Sequence, residues 1–382
     1  MTDKKLLLAY LNKPLEGLRP YLNNVPQMPI GMALNLTKDF LLIYEINTEG
    51  SPQHWVDRID LSLPKKLKEM LRNRTAIVYY DQSWEGFPMI NHFEKLYETF
   101  KKFDLPPSQF VFSTSNLLET DIHDKWCNQQ SIQDRMLVIS ASFFAELSSQ
   151  RKLYKGEITT NEHLSYKSLN NINLFNCLNR VVREHRTCFL SMLNYYNLLD
   201  INKVSHDKFD AKINLDHPAF ENSNMNDVQS KLPLILDSSE FEVNKAHSFY
   251  KQIYLESWVT VVTETMATEP NTMFFSEKIY KPMSARHPFI IVGLPGSLRQ
   301  LKEQGFRTFD LWWDESYDDI ENVTDRLDAI CKVLMSLQTK SKDYWIDIYN
   351  EMSSVLEHNY NQLHSRNWVA PLTAWTTNLT NE

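Results

Sequence analysis

The sequence predicts an α/β protein of two domains, each a parallel sheet flanked by helices. Three observations predict it. Short apolar runs rich in β-branched residues recur with helical patterns between them, as buried parallel strands do. The chain has 382 residues, more than a single core usually supports. Charge is also split along it. Residues 1–168 carry 20 basic and 20 acidic side chains, and residues 169–382 carry 20 and 28, so the whole net charge of −8 lies in the second part. The expected division is 1–168, then 169–343, then C-terminal helices from 344 to 382.

The elements follow in order. Ala76–Tyr80 (AIVYY) is a strand that runs into the polar loop Asp81–Gly86. Met89–Phe103 reads as a helix after Pro88, and Phe110–Thr114 and Met136–Ser140 as two more strands. Residues 155–171 are polar and weakly patterned, which places the domain boundary there. The alternation restarts with strand Leu174–Leu178 and helix Arg183–Leu199. Residues 202–230 are rich in Asn and Asp and read as irregular. Trp258–Val262 and Phe289–Val292 are the next strands. A short helix lies within Gly296–Gly305 and ends at a glycine. Asp325–Gln338 and Tyr344–Ser365 are amphipathic helices.

Composition excludes several classes. There are only 8 glycines, at 17, 31, 50, 86, 156, 293, 296 and 305, and neither G-x-G-x-x-G nor G-x-x-x-x-G-K-[ST] passes through them. A bound nucleotide phosphate would have to be held by side chains. The four cysteines (Cys127, Cys177, Cys188, Cys331) form no C-x-x-C pair and read as reduced core thiols. The N-terminal apolar run Leu6–Leu11 is too short for a secretory core or a membrane span. The expected location is the cytoplasm, and no metal site shows in the His and Cys spacing. With 42% hydrophobic residues, disorder is not expected.

Three constellations can carry chemistry. In Asn179-Arg180-Val-Val-Arg183-Glu-His185-Arg186, cations crowd a predicted helix start. They oppose the helix dipole there, so either an anion is held between them or they form a solvated basic face. In Ser276-Glu277-Lys278-Ile-Tyr-Lys281-Pro282, Glu277 and Lys281 share a helical face. A carboxylate can take a ribose diol and a lysine a diphosphate; an ion-paired helix is the alternative. Pro282 implies that the helix bends or begins there. Glu264 follows the strand WVTVV, at the strand end where an α/β sheet meets its ligand.

Taken together, LFNCLNRVVREHR, WVTVVTET and FFSEKIYKPMSARHPFIIVG resemble the donor domain of GT-B glycosyltransferases, nearest the α1,3-fucosyltransferase type. The resemblance covers about residues 172–310. The S-E-K segment followed by an apolar strand ending in Gly293 is its more specific part. The stretch GFRTFDLWWDESYDDI also resembles glycosyltransferase-like proteins of bacteria and phages. The resemblance implies two Rossmann-like domains facing a cleft, a nucleotide-sugar donor as co-substrate and no further cofactor. It implies that Glu277 reads the donor ribose. It implies that Lys278 or Lys281, with one or more of Arg180, Arg183 and Arg186, holds the diphosphate. Ser276, Glu264 and Asn179 belong to the same donor set. The last helices, from about Tyr344, are expected to pack back toward the N-terminal domain.

Inverting transfer also needs a base on the acceptor hydroxyl and positive charge on the leaving group. The sequence has no D-x-D, so the leaving-group charge is expected from Arg and Lys without a metal. Glu85, beside Trp84 in the DQSWEGFP loop, is the first choice of base and Asp81 the second. His185 and His287 sit among cations and read as structural or phosphate-side residues. Lys65, Lys66, Lys68, Arg72 and Arg74 follow Pro64 on one helix, with Trp55 and Trp84 expected nearby. That face can meet a polyanionic acceptor such as the hydroxymethylated DNA bases that phage GT-B enzymes glycosylate, or can simply be solvated. A glycan acceptor is the commoner case for the fold. A non-catalytic sugar-nucleotide-binding protein is the reading from a different class.

Overall fold

The computed structural model describes residues 5–10, 18, 20–36, 40–47, 53–57, 59, 63–150, 158–179, 181–209, 217–236 and 249–381. The chain divides into two compact units. One comprises residues 1–143, 270–274 and 367–382, the other 144–269 and 275–366.

The first unit is built on a six-stranded sheet in the order β2-β1-β3-β4-β5-β6, all pairs parallel. Its strands are β1 (Lys5–Tyr10), β2 (Gln27–Pro29), β3 (Phe40–Asn47), β4 (Ala76–Gln82), β5 (Phe110–Thr114) and β6 (Leu137–Ser140). Strand alternation divides the core between the two faces. Leu7 and Ala9 of β1 and Val78 and Tyr80 of β4 enter one apolar cluster; Leu6, Leu8 and Tyr79 enter the other. Helices α1 (Lys65–Arg72), α2 (Phe93–Lys102) and α3 (Glu119–Gln129) alternate with the strands; α4 (Phe143–Gln150), which follows β6, belongs to the second unit from Phe144 on. After β1, residues 11–17 and 19 lie outside the described residues, and after β3, residues 48–52, 58 and 60–62.

The second unit has a four-stranded parallel sheet in the order β10-β9-β7-β8. Its strands are β7 (Asn173–Leu178), β8 (Lys203–Ser205), β9 (Ser257–Thr263) and β10 (Phe289–Val292). Its helices are α5 (Thr160–Leu169), α6 (Glu184–Tyr195), α7 (Asn222–Lys231), α8 (Lys251–Leu255), α9 (Glu277–Ser284), α10 (Ser297–Glu303), α11 (Val323–Gln338) and α12 (Lys342–Ser365). Helix α13 (Ala370–Asn381) belongs to the first unit, where Trp375 stacks on Tyr79 at 5.5 Å.

Several expectations change here. The polar segment around 155–171 contains α5, which belongs to the second unit. His163 Nε2 meets Ala285 O at 2.7 Å, and the buried Lys167 ammonium donates to Tyr254 O (2.8 Å) and Leu255 O (3.1 Å), closing the end of α8. The units therefore divide at Phe143/Phe144, not at 168/169, and α12 stays with the second unit. The described residues of 202–230 are not all irregular: they hold β8 and most of α7, while 210–216 lie outside the described residues. The α7 sequence buries only Val228, so it carries no apolar period. A polar net holds it instead. Asn194 Nδ2 donates to Asp227 at 2.9 Å and Lys231 Nζ to Asn194 Oδ1 at 2.8 Å. Helix α9 begins at Glu277 under a Ser276 cap and runs through Pro282 rather than starting there.

The four cysteines are buried and unpaired. Among the described residues no helix is long and apolar enough to cross a membrane.

Candidate functional site

In the second unit the chain moves outward from β7 to β8 on one side, and β9 and β10 lie on the other. Connections leaving the carboxyl ends of β7 and β9 therefore diverge. An open parallel sheet binds its ligand at such a switch point. Asn179 follows β7 and Thr263 ends β9, and Thr263 Oγ1 donates to Asn179 Oδ1 across the point. The Asn179 N–H donates to Ser205 O at 3.2 Å and to Ser205 Oγ at 3.1 Å. Asn179 is thus committed to holding three strand ends in register.

Glu264, the next residue after β9, is 1% exposed. Its Oε2 accepts from Ser276 Oγ (2.6 Å), Ser276 N (3.2 Å) and Thr265 N (3.2 Å). Its Oε1 is buried with no hydrogen-bond partner among the described residues. Burial pushes its carboxyl pKa up against the pull of Lys278 and Ser276. Ser276 caps α9, and Lys278 Nζ reaches Ser276 Oγ at 3.0 Å, Thr265 Oγ1 at 3.3 Å and Glu277 Oε1 at 3.3 Å. Burial would raise Glu277 as well. Lys278 and Lys281 beside it outweigh that and hold it below the usual carboxylate range. Two carboxylates and Lys278 therefore meet at one strand end and one helix start, with Lys281 a turn further along α9.

Helix α6 supplies the facing side. Arg183 is its half-buried N-cap residue, and its side chain makes no capping bond. His185 Nε2 lies 2.9 Å from Glu264 O. Arg186 is buried on backbone carbonyls: those of Val181 (2.8 Å), Thr263 (3.0 Å) and Glu264 (3.0 Å). It ties the start of α6 to the end of β9. Arg180 lies outside the described residues. A cavity of about 410 Å³ opens here, lined by Arg183, His185, Cys188, Thr265, Glu269 and Val323 among others. His287, the other histidine of the motif, is fully committed: Nε2 meets Ser257 O at 2.8 Å and Nδ1 meets Thr260 Oγ1 at 3.0 Å. It serves the sheet.

The first unit places its candidates at the end of β4. Asp81 is 1% exposed, and its Oδ1 accepts from Ser83 N at 2.9 Å. Burial raises its pKa. Glu85 is half-buried and Trp84 is 51% exposed. The Glu85 carbonyl accepts from Ser115 N (3.1 Å) and Thr114 Oγ1 (3.2 Å), so β5 braces the loop. On α1, Leu67 and Leu71 are buried while Lys65, Lys66 and Arg72 are exposed and Lys68 is half-buried; Arg74, also exposed, lies just past the helix end. Lys68 Nζ sits 4.5 Å from the Phe103 ring centroid, and Arg72 donates to Phe103 O at 2.7 Å. Trp55 is not beside them in solvent. It is buried and stacked on Tyr80 at 4.3 Å.

No family model matches the chain, and no curated protein matches it. Solved structures do. An α,α-trehalose-6-phosphate synthase from Burkholderia multivorans is similar over 99% of this chain and 97% of its own, at 9% identity and a TM-score of 0.45. A UDP-forming α,α-trehalose-phosphate synthase from Burkholderia vietnamiensis is similar over 91% and 74%, at 11% identity and a TM-score of 0.46. An α1,3-fucosyltransferase is similar over 94% and 93%, at 10% identity and a TM-score of 0.39.

Sequence reasoning did not find Glu119. It is fully buried at the start of α3, accepting from Met89 N at 3.0 Å and Asn116 Nδ2 at 2.8 Å. Asn116 in turn donates to Asn271 O (3.0 Å) and accepts from Met273 N (2.9 Å), holding residues 270–274 in the first unit. The one visible signal was an Asn and a Glu three apart just past a strand. Among the described residues no group of three or more His, Cys, Asp or Glu is placed to hold a metal ion.

Proposed function

We propose that this chain is a glycosyltransferase that binds a nucleotide-sugar donor on its second unit and transfers the sugar to an acceptor hydroxyl. The observation that carries the reading is the group at the switch point of β7 and β9. There Glu264, Ser276, Glu277 and Lys278 surround one strand end, and a cavity lined by Arg183, His185 and Thr265 adjoins them. The resemblance of the S-E-K segment supports the same assignment. Glu277, kept ionised by two lysines, can accept both hydroxyls of a ribose diol. Lys278, Lys281 and Arg183 supply the positive charge that a departing diphosphate needs, so the transfer runs without a metal. Arg186 and Asn179 shape the site from beneath.

Transfer is inverting, with Glu85 as the base; that residue is half-buried while Asp81 is enclosed. The acceptor is a saccharide. A second reading, hydroxymethylated DNA, is favoured by the exposed Lys65 and Lys66.

Calorimetric titration of UDP, GDP and their sugar conjugates, with EDTA present, tests the donor. Binding of one nucleotide family, weakened about tenfold or more by Glu277→Gln, is expected. If none binds, the reading is wrong. Glu85→Gln should abolish transfer and keep donor affinity; near-normal turnover would move the base elsewhere. Steeply salt-dependent binding of modified duplex would favour DNA over glycan. Donor binding with neither transfer nor hydrolysis would leave a non-catalytic binding protein.

A further inference from the structure

His185 is the second residue of α6 and forms part of the cavity wall. It is 9% exposed. Its Nε2 lies 2.9 Å from the carbonyl oxygen of Glu264, which can only accept, so Nε2 carries a hydrogen. The ring is held neutral. Burial is the largest cause, Arg186 and Arg183 add to it, and the pKa falls to about 3. The free N–H groups of the α6 N-terminus act in the same direction. A neutral ring with its hydrogen on Nε2 presents a bare Nδ1, which can only accept. Nδ1 makes no hydrogen bond among the described residues and is not sealed from solvent.

This bears on what the cavity wall selects. Phosphate oxygens at neutral pH are acceptors and would oppose Nδ1. A hydroxyl can donate to it. We propose that His185 Nδ1 accepts a hydrogen bond from a hydroxyl of the bound nucleotide sugar, making His185 a specificity residue for a hydroxyl and not a phosphate ligand. The inference rests on the donor-binding reading above. It separates two neighbours on one helix start: Arg183 meets phosphate, and His185 meets hydroxyl.

The test measures affinity by calorimetry for the nucleoside diphosphate that wild type binds, its 2′-deoxy and 3′-deoxy forms, and its sugar conjugate. His185→Phe removes the acceptor. If a sugar hydroxyl is read, the conjugate binds about tenfold or more weakly and the diphosphate is unchanged. If a ribose hydroxyl is read, diphosphate and conjugate both weaken, while one deoxy form is unaffected. His185→Gln keeps a donor for Glu264 O and an oxygen for the ligand, so its affinities stay within about threefold. His185→Leu replaces the Phe variant should that one fail to fold. Equal weakening of every ligand, both deoxy forms included, would overturn the proposal, as would unchanged affinity for all of them. Failure of wild type to bind any nucleotide would overturn the donor reading itself.

Discussion

Ser276 Oγ donates to Glu264 Oε2 at 2.6 Å, joining the end of β9 to the cap of α9. The same hydroxyl lies 3.4 Å from Lys278 N, where it caps the helix, and 3.0 Å from Lys278 Nζ. One oxygen therefore sets a buried carboxylate, a helix start and a lysine together.

Ser276→Ala removes all three contacts and leaves Glu264 with backbone donors only. Loss of a cap and of a buried hydrogen bond should destabilise the protein by about 1–2 kcal/mol in urea unfolding. Nucleotide affinity should fall severalfold as Lys278 loses its seat. Ser276→Thr keeps the hydroxyl and should restore most of both. Unchanged stability and affinity in the alanine variant would show that Glu264 and α9 are fixed by other contacts.

The switch-point set was legible because its residues sit at strand ends and helix starts, which sequence pattern locates well. What each cation does there was not. Arg186 and Arg183 look alike in sequence, three residues apart. Only the fold brings the Thr263 and Glu264 carbonyls under Arg186 and leaves Arg183 at the cavity. For His287 the sequence left a structural and a phosphate-side role open, and the fold makes it structural: its partners, Ser257 and Thr260, come from a neighbouring strand. Glu119 was invisible because Asn116 is held by Asn271, 155 residues away in sequence. Helix α7 was missed because side-chain amides and charges replace the apolar stripe that a reader of sequence looks for.

Gly86 lies against Phe274. A Cβ at this position would stand 2.5 Å from the ring atoms Cγ and Cδ2. Phe274 is 3% exposed and has little room to withdraw. Gly86→Ala should therefore destabilise the first unit by about 1–3 kcal/mol, as overpacking does. Phe274→Leu in the same chain should return part of that loss. A double-mutant cycle measured by urea unfolding checks it, and additive effects would show that the two residues do not meet.

Arg286 is buried with φ +49°, and its guanidinium grips the carboxylate of Glu357 with two nitrogens, at 2.5 and 3.1 Å. It also donates to Ile158 O at 3.1 Å and stacks on Tyr360 at 3.5 Å. These contacts fasten α12 to the turn before β10. Glu357 is half exposed, which lowers the worth of the ion pair itself. Arg286→Ala should still cost about 2–3 kcal/mol, mostly from the lost hydrogen bonds and stacking. Lysine offers no fork and should recover less than half. Thermal unfolding of the three proteins orders them, and equal midpoints for Lys and Arg would refute the fork.

Glu119 gives stability a pH dependence with a definite sign. Burial exceeds the pull of the Met89 and Asn116 hydrogen bonds, and its pKa rises from 4.5 to about 7. The folded state therefore binds this proton more tightly than the unfolded chain does. The resulting stabilisation is complete below pH 4.5 and is lost as pH rises to about 7. A rise of this size corresponds to roughly 3 kcal/mol across the window. Glu119→Gln cannot titrate there. Urea midpoints measured from pH 4.5 to 8 should fall more steeply for wild type than for Glu119→Gln, with the gap between them opening mainly below pH 7. Other buried acids such as Asp81 titrate in both proteins and cancel in the comparison. Two parallel curves would mean that Glu119 stays ionised in the folded protein throughout, its charge satisfied by the two N–H donors it already holds.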